Sequence, residues 1–248
     1  MSGHSKWSTI KRQKGAADAK RGQLFTKLAR EIAIAARQGL PDPDANTRLR
    51  LAVDRARAAN MPKDNIERAI QRAAGAGSGE QYEEIFYEGY GPGGAALMIQ
   101  AQTDNRNRTV GEVRAVLTRA GGTLGENGSV GWMFDHMGLI EVPVGDADPD
   151  EIALVAIDAG ASDVDNEDGV VVVFTEPAEL HRVREALVAA GTEVDAAQLT
   201  MRPKTLVTPE PDAAIKVIRL VEKLEDLDDV QEVFTNVDIS DDVLAAAM

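Results

Sequence analysis

A run of small residues, Gly75-Ala76-Gly77-Ser78-Gly79, divides this chain into two regimes that one layer of secondary structure cannot bridge. The composition is that of a flexible linker, and it sets the first domain boundary. Before it, apolar residues recur at helical spacing. After it, strand and helix patterns alternate. The 248 residues are enough for more than one core.

Ahead of the linker the chain reads as three helices. Ala16 to Arg37 contains no proline, and Leu24, Leu28, Ile32 and Ala35 fall on one face. Gly39, Pro41 and Pro43 end this helix. A second starts at an Asp44 or Asn46 cap, buries Leu49, Val53 and Ala56, and stops at Asn60-Met61-Pro62. A third runs from Asp64 to Ala74 with Ile66 and Ile70 inward and Gly75 as a C-cap. Beyond the linker the pattern predicts a strand over 97–103, a helix over 109–119 and a strand over 130–134. Residues 139–201 repeat strand, helix, strand, strand, helix, strand, a ferredoxin-like order, with Asp168-Gly169 as a hairpin turn. A last helix (212–224) and strand (231–237) are placed to complete the sheet begun at residue 97. The fold class is therefore α+β and multidomain: a basic helical domain over 1–76, a discontinuous α/β domain over 80–135 and 203–240, and an inserted acidic ferredoxin-like βαββαβ domain over 136–202.

Charge follows the same division. Residues 1–75 carry 16 Lys and Arg against 7 Asp and Glu, a balance of +9; the remainder carries 11 against 34, a balance of −23. A polyanion would meet the first region and be repelled by the rest. The plainer alternative is that the basic region docks on the chain's own acidic domains. The densest positive stretch holds Lys6, Trp7, Lys11, Arg12, Lys14, Lys20, Arg21 and Lys27, with no acid before residue 15. Such cations suit phosphate contacts, and Trp7 suits either base stacking or anchoring of the arm. A solvated helix face accounts well for Lys27 and Arg37 but poorly for the crowded run over 6–21. The second and third helices have helix-turn-helix spacing, and the third offers Arg68 and Arg72. Asp64 and Glu67 at its leading end weaken a major-groove role and favour backbone and shape recognition, as on folded RNA.

Other chemistry finds little support. With no cysteine, disulfides and thiolate sites are excluded. No apolar run approaches the roughly 20 residues of a membrane span, and the N-terminal residues lack a signal-peptide core, which points to a cytoplasmic location without membrane contact. Gly89-Tyr90-Gly91-Pro92-Gly93-Gly94 matches a dinucleotide fingerprint in letters, but a strand follows where a helix is needed. Asp163–Gly169 has a calcium-loop flavour with its turn glycine misplaced and Phe174 where a bidentate Glu belongs. His4, His136 and His181 are too far apart to suggest a ligand pair. The expectation is no cofactor, no metal, no small-molecule substrate and no enzymatic activity. An enzyme site assembled from distant carboxylates, or a protein-interaction module using the acidic domains, are the competing classes.

A set of longer motifs resembles one family. It comprises residues 2–7 (Ser-Gly-His-Ser-Lys-Trp), 16–22, 25–28 and 56–70, then 87–94, Thr103-Asp104-Asn105-Arg106-Asn107-Arg108-Thr109, and Gly128-Ser129-Val130. Together these are similar to the YebC/PmpR-type proteins, which include mitochondrial translational activators of cytochrome c oxidase subunit I. The resemblance covers residues 2–134; beyond that only the order of elements matches. It implies three domains with the second discontinuous, no cofactor and no catalysis. It also implies a regulator of gene expression: a DNA-binding transcriptional regulator by general description, or a ribosome-associated factor that binds structured RNA and relieves stalling, as at consecutive prolines. The partners implied are DNA or ribosomal RNA and the ribosome. The 104–109 motif would place Arg106 and Arg108 at a strand-to-helix turn, either contacting RNA or protein or pairing with nearby acids.

Overall fold

The computed structural model describes residues 18–75, 82–167, 169–240 and 243–245, with only the secondary structure given for residues 18–20 and 167. They form two compact units: one is residues 134–202, and the other is the rest of the described chain.

The larger unit begins with α1 (Asp18–Gln38), α2 (Thr47–Ala58) and α3 (Lys63–Ala74). Their shared core holds Leu28, Ile32 and Ala35 of α1, Leu49, Val53 and Ala56 of α2, and Ile66 and Ala69 of α3. Leu24, expected on the inward face of α1, is exposed. Asn46 joins two helix ends. Its Oδ1 accepts from the Leu49 amide at 3.1 Å while its Nδ2 donates to the carbonyls of Ala35 and Leu40 at 2.8 and 2.9 Å. One side chain thus caps α2 and satisfies both the Ala35 carbonyl in the last turn of α1 and the Leu40 carbonyl just beyond it. Gly75 closes α3 in extended rather than left-handed geometry, so the expected glycine cap is of a different kind.

The sheet of this unit has β1 (Glu83–Tyr90), β2 (Ala96–Thr103), β3 (Thr123–Leu124) and β8 (Val230–Thr235) in the order β3-β1-β2-β8. α4 (Arg106–Arg119) and α7 (Pro211–Glu225) cover it. Leu97 and Ile99 of β2, Val113 and Leu117 of α4, Val217 and Leu224 of α7, and Val233 of β8 share one apolar core. The final helix and strand therefore complete the sheet begun before residue 134, as their order implies. The glycine-rich segment at 89–94 is the turn of the β1–β2 hairpin: the Gly91 amide donates to the Ala95 carbonyl at 2.8 Å. Gly93 has φ 70°, and a Cβ there would sit 2.9 Å from Pro209 Cβ, so both conformation and packing require glycine.

The strand expected at 130–134 does not form. Residues 131–133 make one turn of 3-10 helix, and the strand, β4, starts at Phe134 and runs to Pro143. The amides of Gly128, Val130 and Gly131 turn instead to the Glu88 carboxylate.

The second unit continues from β4 with α5 (Pro149–Asp158), β5 (Asp163–Glu167), β6 (Val170–Thr175), α6 (Leu180–Ala189) and β7 (Ala196–Pro203). Its sheet order, β5-β6-β4-β7, is that of a ferredoxin-like unit. β6 is central and apolar on both faces, with Val171, Val173 and Phe174 all buried. The acidic 163–167 stretch is strand, not a metal loop. Asp163 and Asp165 pair with Arg202 at 2.7 and 3.6 Å, and that guanidinium lies 3.9 Å over the Phe174 ring.

Candidate nucleic-acid interface

The positive charge of the helical domain divides between groups held internally and groups left at a surface. Lys27 belongs to the first set. Its Nζ is buried and donates to the Glu225 carbonyl at 2.5 Å, so this residue, expected among the nucleic-acid contacts or on a solvated face, instead ties α1 to the end of α7. One turn on, Arg30 donates to the Asp228 carbonyl at 2.7 Å and to Asp229 Oδ1 at 3.1 Å. Gln23 donates to the Asp226 carbonyl. Arg48 reaches Glu84 at 2.7 Å, and Arg55 lies within 4.0 Å of Glu31 and Glu232. To this extent the basic region does dock on acidic parts of the same chain.

Asp229 is the hub of that junction. It is 1% exposed and accepts from Thr103 Oγ1 at 3.0 Å, Thr109 Oγ1 at 2.7 Å and the Arg108 Nε and Nη2 atoms at 3.1 and 2.7 Å. Burial pushes its carboxyl up, but the hydrogen bonds from Arg108, Thr109 and Thr103 outweigh this and hold it below its ordinary range. The 103–109 motif is thereby accounted for. Asn105 caps α4 by accepting from the Arg108 amide, Thr103 and Thr109 reach inward, and Arg108 also pairs with Asp104 at 2.8 Å. Arg106 pairs with Glu83. Of the two roles open for these arginines, the structure displays pairing with nearby acids.

Arg68 and Arg72 belong to the second set. They stand one turn apart on α3, both exposed, and among the described residues neither meets a carboxylate or other hydrogen-bond acceptor. They edge a furrow of about 460 Å³ between α3 and α1, with Arg30 and Arg37 contributed by α1. Its apolar lining comes from Phe25, Ala29 and Ala33 of α1, Met61, and Ala69 and Ala73 of α3, with Thr26 and Asn65 among them. Asp64 and Glu67 are not part of this lining, and Glu67 lies 3.5 Å from Lys63 on the outer side. Helical spacing turns Glu67 away from the arginine pair, but Asp64 precedes Arg68 by one turn on the same side of α3, so one acid remains beside the pair at the leading end. Arg21 is exposed on α1. Lys6, Trp7, Lys11, Arg12 and Lys14 lie outside the described residues, and of Lys20 only its place in α1 is described.

Two features escape sequence reasoning. One is the alanine spacing that opens the furrow. The other is Glu88, whose carboxylate takes three backbone amides at 2.6–2.7 Å and so fixes the turn carrying Trp132. Burial raises the Glu88 carboxyl, while the amides of Gly128, Val130 and Gly131 together draw it below its usual value. Trp132 is 67% exposed, and its Nε1 and the Tyr90 hydroxyl both donate to the Ser129 carbonyl.

A helical domain with exposed arginines, docked on an antiparallel sheet and accompanied by a ferredoxin-like insertion, places the chain in the α+β class. The comparisons make that narrower. Residues 5–76 match the TACO1/YebC protein N-terminal domain, and residues 82–237 match the TACO1/YebC second and third domain. The chain belongs to the TACO1/YebC family. It is similar to a probable transcriptional regulatory protein of Roseiflexus castenholzii, 58% identical, with 98% of this chain and 97% of the relative covered. It is also similar to one of Trichlorobacter lovleyi, 52% identical over the whole of both chains. The crystal structure of a conserved hypothetical protein from Aquifex aeolicus superposes with a TM-score of 0.83 at 48% identity, covering 90% of this chain and 93% of that one. The family is one of probable transcriptional regulators rather than enzymes by name. No described helix is long and apolar enough to cross a membrane.

Proposed function

We propose that the protein is a non-enzymatic regulator of gene expression that binds nucleic acid through its helical domain. The observation that carries this reading is the exposed Arg68–Arg72 pair, uncommitted among the described residues where neighbouring cations such as Lys27, Arg30 and Arg48 are engaged. Guanidinium groups one helical turn apart suit successive phosphate oxygens. The relatives' description as probable transcriptional regulatory proteins favours DNA as the target. A second reading, a translation factor on structured ribosomal RNA, draws support from the placement of α3. Its arginines line a furrow shared with α1 instead of standing out from the domain as a major-groove helix does. The basic arm at Lys6–Lys20 would add phosphate contacts in either case.

The test is equilibrium binding of labelled RNA and DNA across a salt series, with the whole chain and an Arg68→Ala/Arg72→Ala variant. Binding should weaken steeply with salt, and the variant should bind more weakly at each point. Salt-independent affinity, or a variant as tight as the parent, would refute the reading. Sequencing of nucleic acid that co-purifies from cells separates ribosomal RNA from DNA fragments.

A further inference from the structure

We infer that the furrow between α1 and α3 receives an unpaired nucleic-acid strand, with sugars and bases over its alanine floor and phosphates on its arginine rim. This rests on the nucleic-acid reading above and names the form of nucleic acid that the site takes.

The floor provides the first argument. Ala29 and Ala33 on α1, and Ala69 and Ala73 on α3, are pairs spaced by one helical turn. Larger residues at these positions would fill the seam between packed helices, whose axes ordinarily lie about 8–10 Å apart. Four small side chains leave an apolar strip instead, within a furrow of about 460 Å³ that Thr26, Asn65 and the arginines also line. A duplex turns its phosphates outward and its bases inward, so it can touch the rim but offers nothing to an apolar floor. An unpaired strand presents both faces at once: charged backbone for Arg68 and Arg72, and base and ribose surface for the trough.

One wall of the furrow supplies the second argument. The Arg30 guanidinium lies 5.0 Å over the Tyr82 ring and is fixed there by its bonds to Asp228 and Asp229. A flat cation already stacked on an aromatic ring, bordering an apolar trough, is a surface on which a further planar base stacks. Its immobilisation in the free protein removes part of the ordering cost of binding.

The test measures binding of the full-length protein to labelled ten-nucleotide oligo-U and oligo-dT strands and to a blunt duplex of equal length. Three variants are compared: Ala73→Leu and Ala33→Leu, which fill the trough and keep the arginines, and Arg68→Ala/Arg72→Ala. Thermal melts establish that each is folded; Ala73, half-buried in the last turn of α3, is the position that best accepts a larger side chain. Single strands of either sugar should bind more tightly than the duplex. The filled variants should lose roughly tenfold for strands with duplex binding unchanged. Loss of the arginines should weaken both. If the duplex binds as tightly as the strands, or a folded Ala73→Leu variant binds strands with unchanged Kd, this inference falls while the nucleic-acid reading stands. If no oligonucleotide binds but an Asp/Glu-rich peptide does, both fall and the furrow is a protein-docking site.

Discussion

Arg108 and Asp229, far apart in sequence, meet with Nη2 and Oδ2 2.7 Å apart, and through that contact the start of α4 is joined to the strand that closes its sheet. Arg30 reaches the other oxygen of the same carboxylate from the helical domain. A single acid therefore coordinates three separate stretches of chain.

Asp229→Asn should cost about 1.5–3 kcal/mol of stability, the range for hydrogen bonds to a buried charged group. Because the folded carboxyl is held below its ordinary value, its contribution is complete above about pH 4 and is lost as pH falls through the folded value. Chemical denaturation of the parent and variant from pH 7 down to the acid limit of the fold checks this; the gap between the two curves should begin to narrow below about pH 4. Parallel curves would mean that the carboxylate charge is immaterial.

Glu88→Gln should loosen the turn at 128–131, since an amide oxygen replaces two charged acceptor atoms that now take three backbone donors. A loss of about 1–3 kcal/mol is expected. Trp132 reports on it directly. In a Trp7→Phe background, emission should change in the variant at neutral pH, and in the parent only as acid protonates Glu88 below its depressed value. An unchanged spectrum in both would exclude an anchoring role.

Lys27→Met should act on stability and not on nucleic acid, because the ammonium is buried against the Glu225 carbonyl. The carbonyl left behind loses its donor, at about 1–3 kcal/mol. Melting temperature and oligonucleotide affinity measured together make the distinction: affinity at a temperature where both proteins are folded should not move.

Arg68→Ala/Arg72→Ala should behave in the opposite way. Both side chains are exposed and without an ion pair among the described residues, so the melting temperature should hold. The dependence of log K on log salt should become shallower by about 2, one for each phosphate contact removed. An unaltered slope would assign those contacts to other residues.

The helical domain and the inserted unit were legible because their signals are local. Period 3.6 marks α1 to α3, and the strand–helix order marks 139–201. β1 was missed: Glu83, Glu84 and Glu88 break up its apolar pattern, and its pairing with β2 outweighs its weak local preference. The strand drawn at 130–134 failed for the converse reason, since Glu88, distant in sequence, captures amides that a ladder would have used. Within the candidate interface, Arg68 and Arg72 were readable as cations on a helix. The engagement of Lys27 and Arg30 was not, because their partners lie about two hundred positions away. The alanine pairs that open the furrow were in plain sight at helical spacing, but small residues announce a gap only once the facing helix is known.

The Lys204 amide donates to the Met133 carbonyl at 2.8 Å, so the two ends of the larger unit flanking residues 134–202 are already stitched together. An interruption placed there leaves the host sheet with almost no loop to close, and loop-closure entropy, which grows with the length of a flexible segment, scarcely enters. Excision follows the same logic. A chain in which a tight turn replaces residues 134–202 should keep the host intact, and an unrelated domain with adjacent termini should be accepted at the same seam. The insertion point is thus a natural grafting site, open to exchange of cargo without redesign of the scaffold that carries it.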